Sequence, residues 1–132
     1  MTTRLVWDPL RKKNVALTPE ERVRQWFISL LQVKAHVPPY MMMSEVSIKM
    51  GKKTYRADIL VYGKDLKPLL AVECKRDSLE LSQKVIDQVI KYNMVLGVNY
   101  IAITNGKQTF FYSRKEDGFV AENDILDYTE MV

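Results

Sequence analysis

The chain has 132 residues, a 47% hydrophobic fraction and a formal net charge of +4 at pH 7, enough for one domain with a real core and short for two. No run approaches the roughly 18 apolar residues of a membrane helix, and Met1-Thr2-Thr3-Arg4-Leu5 lacks a signal-peptide core, so a cytoplasmic protein is expected. One cysteine and one histidine exclude an internal disulfide framework and a Cys/His zinc centre. The charge is uneven: residues 1–114 hold 19 Lys/Arg against ten Asp/Glu, and residues 115–132 hold one lysine against six acids. A basic body with an acidic tail suits a polyanionic partner, although a solvated basic surface gives the same count.

In chain order, Arg11-Lys12-Lys13 is the first basic cluster. Thr18-Pro19-Glu20-Glu21 then combines a threonine cap, proline at the first helical position and glutamate three after the cap, which predicts a helix start. Val23, Trp26, Phe27, Leu30 and Leu31 carry the helix to about Val33 on one apolar face. On a helical wheel Glu20 falls about 50° from the centre of that face and Glu21 about 150°. Glu21 is therefore expected to cap and face water, and Glu20 to point towards whatever the helix packs on. His36, in a loop before Pro38-Pro39, reads as solvated.

Met42 to Met50 alternates as a strand, and Gly51-Lys52 suits a two-residue hairpin turn with glycine first. That register sets Glu45 opposite Asp58, whereas a loop one residue longer moves it away. Glu45 is thus a reserve site residue. Tyr55 to Tyr62 and Leu69 to Arg76 read as the next two strands, with the turn-like Gly63-Lys64-Asp65-Leu66-Lys67-Pro68 between them. A hairpin centred near Asp65 and Leu66 sets Asp58 roughly opposite Glu73.

Asp58, Glu73 and Lys75 are charged residues in segments otherwise suited to burial. Glu73 and Lys75 share a face, while Cys74 points the other way as a small buried hydrophobe. Two carboxylates about 5 Å apart across a ladder repel each other unless a cation or the Lys75 ammonium offsets them. Ordinary ion pairs, Asp58 with Lys75 and Glu73 with Arg56, are an alternative that these residues alone leave open. Oxygen-only ligands favour Mg²⁺ or Mn²⁺ over zinc.

Ser82 to about Leu96 is the second predicted helix, with Leu81, Val85, Val89, Tyr92 and Leu96 as its stripe, Gln88 at the edge and Gly97 as its stop. Tyr100 to Thr104 and Thr109 to Tyr112 read as strands around an Asn105-Gly106 turn, and Glu122 to Tyr128 as a short acidic helix. The order helix, three antiparallel strands, helix, two strands implies an α/β (α+β) domain with a mixed central sheet flanked by helices. One domain over 1–132 is expected, its core at about 18–112 and an acidic tail at 115–132.

The ordered set of helix glutamate Glu20, strand aspartate Asp58, Glu73-Cys74-Lys75 and Gln88-x-x-x-Tyr92 resembles the PD-(D/E)xK nuclease superfamily. Pro19 to Gln25, Arg56 to Tyr62, Pro68 to Arg76, Gln88 to Tyr92 and Tyr100 to Gly106 are more specifically similar to the N-terminal nuclease domain of type I restriction enzyme R subunits. The resemblance implies a restriction-endonuclease-like fold and a Mg²⁺-dependent endodeoxyribonuclease. It implies that Asp58 and Glu73 hold Mg²⁺, that Lys75 orients or activates the attacking water, that Glu20 completes the acidic set, and that Gln88 and Tyr92 support the site and contact DNA.

Hydrolysis of a phosphodiester needs an activated water and stabilisation of phosphate charge, which a carboxylate-bound divalent cation can supply. Nothing after Tyr112 is long enough for the helicase motor of the R subunits, so a nuclease acting alone or through a restriction-system partner is expected. A small enzyme cutting both strands would most simply be a homodimer. Lys49, Lys52, Lys53 and Arg56 sit on the hairpin leading to Asp58 and are the candidate DNA contacts. The alternative from another class is a non-catalytic DNA-binding or assembly module with the same fold, and the motifs alone do not separate DNA from RNA.

Overall fold

The computed structural model describes residues 4–132. A two-stranded hairpin, β1 (Leu5–Asp8) and β2 (Lys13–Ala16), precedes helix α1 (Pro19–Val33). A six-stranded sheet follows, built from β3 (Met42–Met50), β4 (Lys53–Tyr62), β5 (Pro68–Cys74), β6 (Tyr100–Thr104), β7 (Thr109–Lys115) and β8 (Gly118–Glu122). Helix α2 (Gln83–Met94) lies between β5 and β6, and the short α3 (Tyr128–Met131) closes the chain. The strands run in sequence order across the sheet, and only β5 and β6 are parallel. A parallel neighbour needs a crossover, which α2 provides.

The sheet has an apolar cluster on each face. On one, Val23, Phe27, Ile28 and Leu31 of α1 pack with Ile59, Val61, Leu70, Val72 and Phe111, and α3 adds Tyr128 and Met131. On the other, Leu81 joins Ile86 and Val89 of α2, packed with Leu60, Ala71, Ile101 and Ile103. The central strands alternate between two buried faces, which is why they read as almost continuous apolar runs. The sheet and helices thus form the mixed α+β architecture expected from the sequence.

Several local readings hold. Thr18 caps α1 by accepting from the Glu21 backbone N–H, with Pro19 in the first turn. Ser82 caps α2, and Gly97 follows the helix with φ +68°. Others need correction. Glu122 to Tyr128 is not a helix, because Glu122 ends β8 and α3 begins at Tyr128. The sequence reading also passed over the β1–β2 hairpin and β8. The first is held by its turn rather than by apolar alternation: buried Asp8 accepts from the backbone N–H groups of Leu10 (2.7 Å) and Arg11 (3.1 Å) and from Ser44 Oγ (3.0 Å), and it pairs with the Arg11 guanidinium.

Helix α3 begins in a reciprocal cap between Asp127 and Glu130. Exposed His36 is paired rather than free, its Nδ1 lying 2.5 Å from Asp127 Oδ1. Hydrogen bonds from Thr129, then from His36, hold the Asp127 carboxyl at about 2, below its ordinary value. A depressed acid stabilises the fold above its unfolded pKa, and that contribution fades as pH falls through the folded one. Asp127→Asn should therefore be less stable than the parent at pH 5, with the gap closing between about pH 4 and pH 2. Urea midpoints across that range check this; a constant gap would mean that the carboxylate charge is irrelevant to the cap.

Candidate functional site

The site lies where β4 separates from β5. Their ladder is paired from Tyr62 with Pro68 to Ile59 with Val72 and stops there. Beyond that point β4 stays with β3 through Lys53, whereas β5 stays with β6 through Cys74 opposite Thr104. The sheet therefore forks, with Asp58 on one prong, Glu73 on the other and Lys75 just past the end of β5. The register agrees with the hairpin centre read from the sequence, since Ile59 opposite Val72 leaves Asp58 facing Glu73.

Side chains from α1, α2 and both prongs line a cleft of about 650 Å³. Glu20 and Arg24 come from α1, Glu45, Arg56, Asp58 and Glu73 from the strands, Lys75 from beyond β5, and Gln88 and Tyr92 from α2. Every residue proposed for the catalytic or metal-binding set (Glu20, Asp58, Glu73, Lys75 and Gln88) thus borders one cavity. So do Arg56 and Tyr92 of the proposed DNA contacts. Lys49, Lys52 and Lys53 are exposed at the far end of the β3–β4 hairpin, whose Gly51-Lys52 turn has glycine at φ +64°. Lys53 also borders a shallow hollow with Gln88, Lys91 and Tyr92 beside the cleft.

Glu45 joins the site as well. The β3–β4 register runs evenly through Val46 with Ala57 and Ser44 with Ile59, leaving Glu45 across from Asp58. Its φ is +52°, a conformation that costs a residue with a Cβ about 1 kcal/mol or more. The alternation reverses at this pair: Ala57 packs on the α2 side and Ile59 on the α1 side. The reversal turns the hairpin, so that Asp58 and Glu45 face the cleft rather than the core.

The electrostatic centre is Arg24, which the sequence reading did not single out. Its guanidinium donates from Nη1 to Glu21 Oε1 (2.5 Å) and from Nη2 to both Glu45 Oε1 and Asp58 Oδ1 (2.9 Å each). Asp58 Oδ2 accepts from the Cys74 backbone N–H at 2.7 Å, tying the prongs together. Lys75 Nζ lies 3.3 Å from Glu73 Oε1, and Arg56 donates to Glu45 Oε2 at 2.6 Å. Neither simple pair considered earlier, Asp58 with Lys75 or Glu73 with Arg56, is present among these contacts.

Glu21 is corrected: it is buried, not solvent-facing, and accepts from Arg24, Arg11 (2.6 Å) and Gln25 (3.0 Å). The buried face of α1 is Glu21, Val23, Arg24, Phe27, Ile28 and Leu31, centred about 80° from the one drawn through Trp26 and Leu30. The signal lay in Glu21 and Arg24 themselves, an i, i+3 pair able to neutralise itself when buried.

Burial, and then repulsion from Asp58, raise the Glu73 carboxyl above its ordinary range, with Lys75 opposing. Burial also pushes the Cys74 thiol well up, which suits a packing residue and not a nucleophile. Tyr92 Oη accepts from the Arg56 backbone N–H at 3.0 Å, so α2 braces the hairpin prong. Among the described residues, no three His, Cys, Asp or Glu side chains gather into a group able to hold a metal ion. Glu20 shares the cleft without closing a three-ligand set with Asp58 and Glu73.

Among the described residues, no helix is long and apolar enough to cross a membrane. In three dimensions the chain is similar to a fragment of a protein assigned as an HsdR subunit of a type I restriction enzyme from Vibrio vulnificus YJ016, with a TM-score of 0.61 and 19% identity over 87% of this chain. It covers 24% of that structure's chain, and at such identity the likeness bears on the fold alone. No curated protein matches. The family model described as type I restriction enzyme R protein N terminus (HSDR_N) matches residues 19–125, from the first turn of α1 to beyond β8, and the chain belongs to that family.

Proposed function

We propose that this domain is a metal-dependent nuclease of the PD-(D/E)xK type that hydrolyses phosphodiester bonds in DNA within a restriction system. The observation that carries the reading is the fork: Asp58, Glu73 and Lys75 border one open cleft, with Glu20 and Gln88 on its walls. The donor chemistry fits Mg²⁺ or Mn²⁺, because two carboxylates are a sufficient protein contribution when waters and phosphate oxygens complete the shell. Glu73 is the more telling ligand, a carboxylate disfavoured by burial and by Asp58 that a divalent cation would stabilise. Bound there, such an ion would supply Lewis acidity for the phosphate and a more acidic water.

The chain's own residues have distinct tasks. Lys75 holds its ammonium beside Glu73, where it orients the attacking water and moves a proton at Nζ. Arg24 and the Cys74 N–H fix the Asp58 carboxylate, leaving Asp58 little rotational freedom to lose on binding. Arg56, with a largely exposed guanidinium at the cleft wall, binds a phosphate of the incoming backbone. Gln88 reaches the cleft from α2 and positions the substrate; its loss should impair cleavage more than binding.

Incubation with supercoiled plasmid and Mg²⁺ or Mn²⁺ tests the reading, with a chelator and Lys75→Ala as controls. One observation favours a second reading, a non-catalytic DNA-binding or assembly module: both oxygens of Asp58 are already engaged, by Arg24 and Cys74. That module would bind plasmid and leave it supercoiled with either ion. Lys52→Ala with Lys53→Ala should weaken duplex binding and lower its log–log salt slope by about two units, one for each phosphate no longer neutralised. An unchanged slope would move the DNA path from the hairpin to the Arg11-Lys12-Lys13 segment.

A further inference from the structure

The cleft does not end at Glu20. Glu20 also borders a smaller concavity of about 340 Å³ with Pro19 and Arg76. Pro19 in turn borders a hollow of about 450 Å³ lined by Arg22, Trp26, Asp77 and Lys107. The three share wall residues in series, Glu20 and then Pro19, so they follow one another as a track from the site, past the start of α1, to Trp26. Trp26 is 43% exposed although it stands among the apolar positions of its helix. A large ring left open beside two cations is the composition of a platform for a nucleobase next to its phosphates.

The hollow has a fixed far wall. Lys107 sits in the turn between β6 and β7, where buried Asn105 accepts from the Lys107 and Gln108 N–H groups (2.9 and 2.8 Å) and donates to Leu79 O (2.8 Å). Leu79 borders the cleft itself, so one buried amide ties both ends of the track. Gly106 supplies the positive φ of this turn, +88°, and the turn packs on α1, where a Cβ would meet Val23 Cγ2 in ordinary contact at 3.5 Å.

We infer that this track is a binding site for single-stranded DNA leaving the cleft, with Arg76, Arg22 and Lys107 on its phosphates and one base stacked on Trp26. The inference rests on the nuclease reading for its direction, but not for its chemistry. Arg76, Arg22 and Lys107 along the track, against Asp77 alone beyond Glu20, fit a polyanion and disfavour an acidic peptide. The aromatic platform fits bases that are already unstacked rather than a closed duplex.

The chain has two tryptophans, Trp7 and Trp26, so Trp7→Phe leaves Trp26 as the only indole. Titrating that variant with oligothymidine, without divalent metal, should quench its fluorescence saturably. Trp26→Leu should weaken binding of the same fluorescein-labelled oligonucleotide about tenfold by anisotropy, the scale of removing one base–aromatic stack. Arg22→Ala with Lys107→Ala should lower the salt slope by about 1.4 units, at roughly 0.7 per phosphate on a single strand.

Absence of quenching, or unchanged affinity in both the Trp26→Leu and the Arg22→Ala/Lys107→Ala proteins, would overturn the track. Both variants change exposed side chains, and far-ultraviolet circular dichroism checks that they fold. Plasmid left intact by wild type while Trp26 is quenched would sink the nuclease reading and support the strand site. Nicked plasmid with no quenching would do the reverse.

Discussion

Lys75→Ala is expected to slow plasmid nicking by about 10²- to 10⁴-fold, the range for a positioned proton-transfer group, with stability changed by less than about 1 kcal/mol. The second figure follows from its setting: Lys75 is part-exposed, and its ion pair with Glu73 is 3.3 Å long, a class that contributes little when solvent reaches it. Asp58→Asn should lose cleavage and also lose metal binding, and melts separate the two variants. With free Mn²⁺ tenfold above its dissociation constant, wild type and Lys75→Ala should each gain about 1.4 kcal/mol, a rise of roughly 4–6 °C, and Asp58→Asn should gain none. An equal rise in Asp58→Asn would place the ion elsewhere, and full activity in Lys75→Ala would remove the lysine from the chemistry.

Where charge interrupts apolar alternation, the placement of the candidate site was legible in the sequence. Asp58, Glu73 and Lys75 stand out because ionised groups are costly in buried strands, and a turn centred near Asp65 and Leu66 was enough to set Asp58 opposite Glu73. The same arithmetic through Gly51-Lys52 brought Glu45 across from Asp58. Neither register reveals that Glu45 takes φ +52° or that the ladder stops at Ile59 and Val72. Those features depend on how far two prongs diverge, a tertiary property that local pattern does not carry.

Helix α1 shows why its polar half was misread. Trp26 and Leu30 are apolar and correctly spaced, yet Trp26 is left open, while Glu21 and Arg24 are buried. Periodicity counts hydrophobic side chains and has no means of seeing an acid and a base that enter the core together. The passed-over strands have similar causes. In β8, Val120 and Ala121 are exposed, so it lacks a buried apolar run; its two-residue turn is Glu116-Asp117, with Glu116 at φ +48°, and a non-glycine residue in that conformation is a weak hairpin signal. The β1–β2 hairpin leaves Leu5 and Trp7 exposed and depends on Asp8, whose partners include Ser44, distant in sequence.

Arg24→Ala should destabilise the domain by about 3 kcal/mol, more than any exposed charge change here, because it leaves several carboxylates without their shared cation. The Arg24 side chain is 6% exposed, and its three partners are Glu21, Asp58 and part-exposed Glu45. Solvent at Glu45 and Asp58 screens part of the repulsion, which keeps the figure at the low end for a broken buried network. Arg24→Lys should recover only a fraction, since one ammonium cannot reproduce a planar fork that reaches Glu21 from one nitrogen and Asp58 and Glu45 from another. Urea unfolding measures both variants. A loss below about 1 kcal/mol in Arg24→Ala would mean that water and Arg11 already neutralise Glu21, and that the Cys74 N–H alone holds Asp58. If the loss is large, the domain has placed a structural cation where its proposed catalytic aspartate must be held still, so that one side chain serves both the fold and the site.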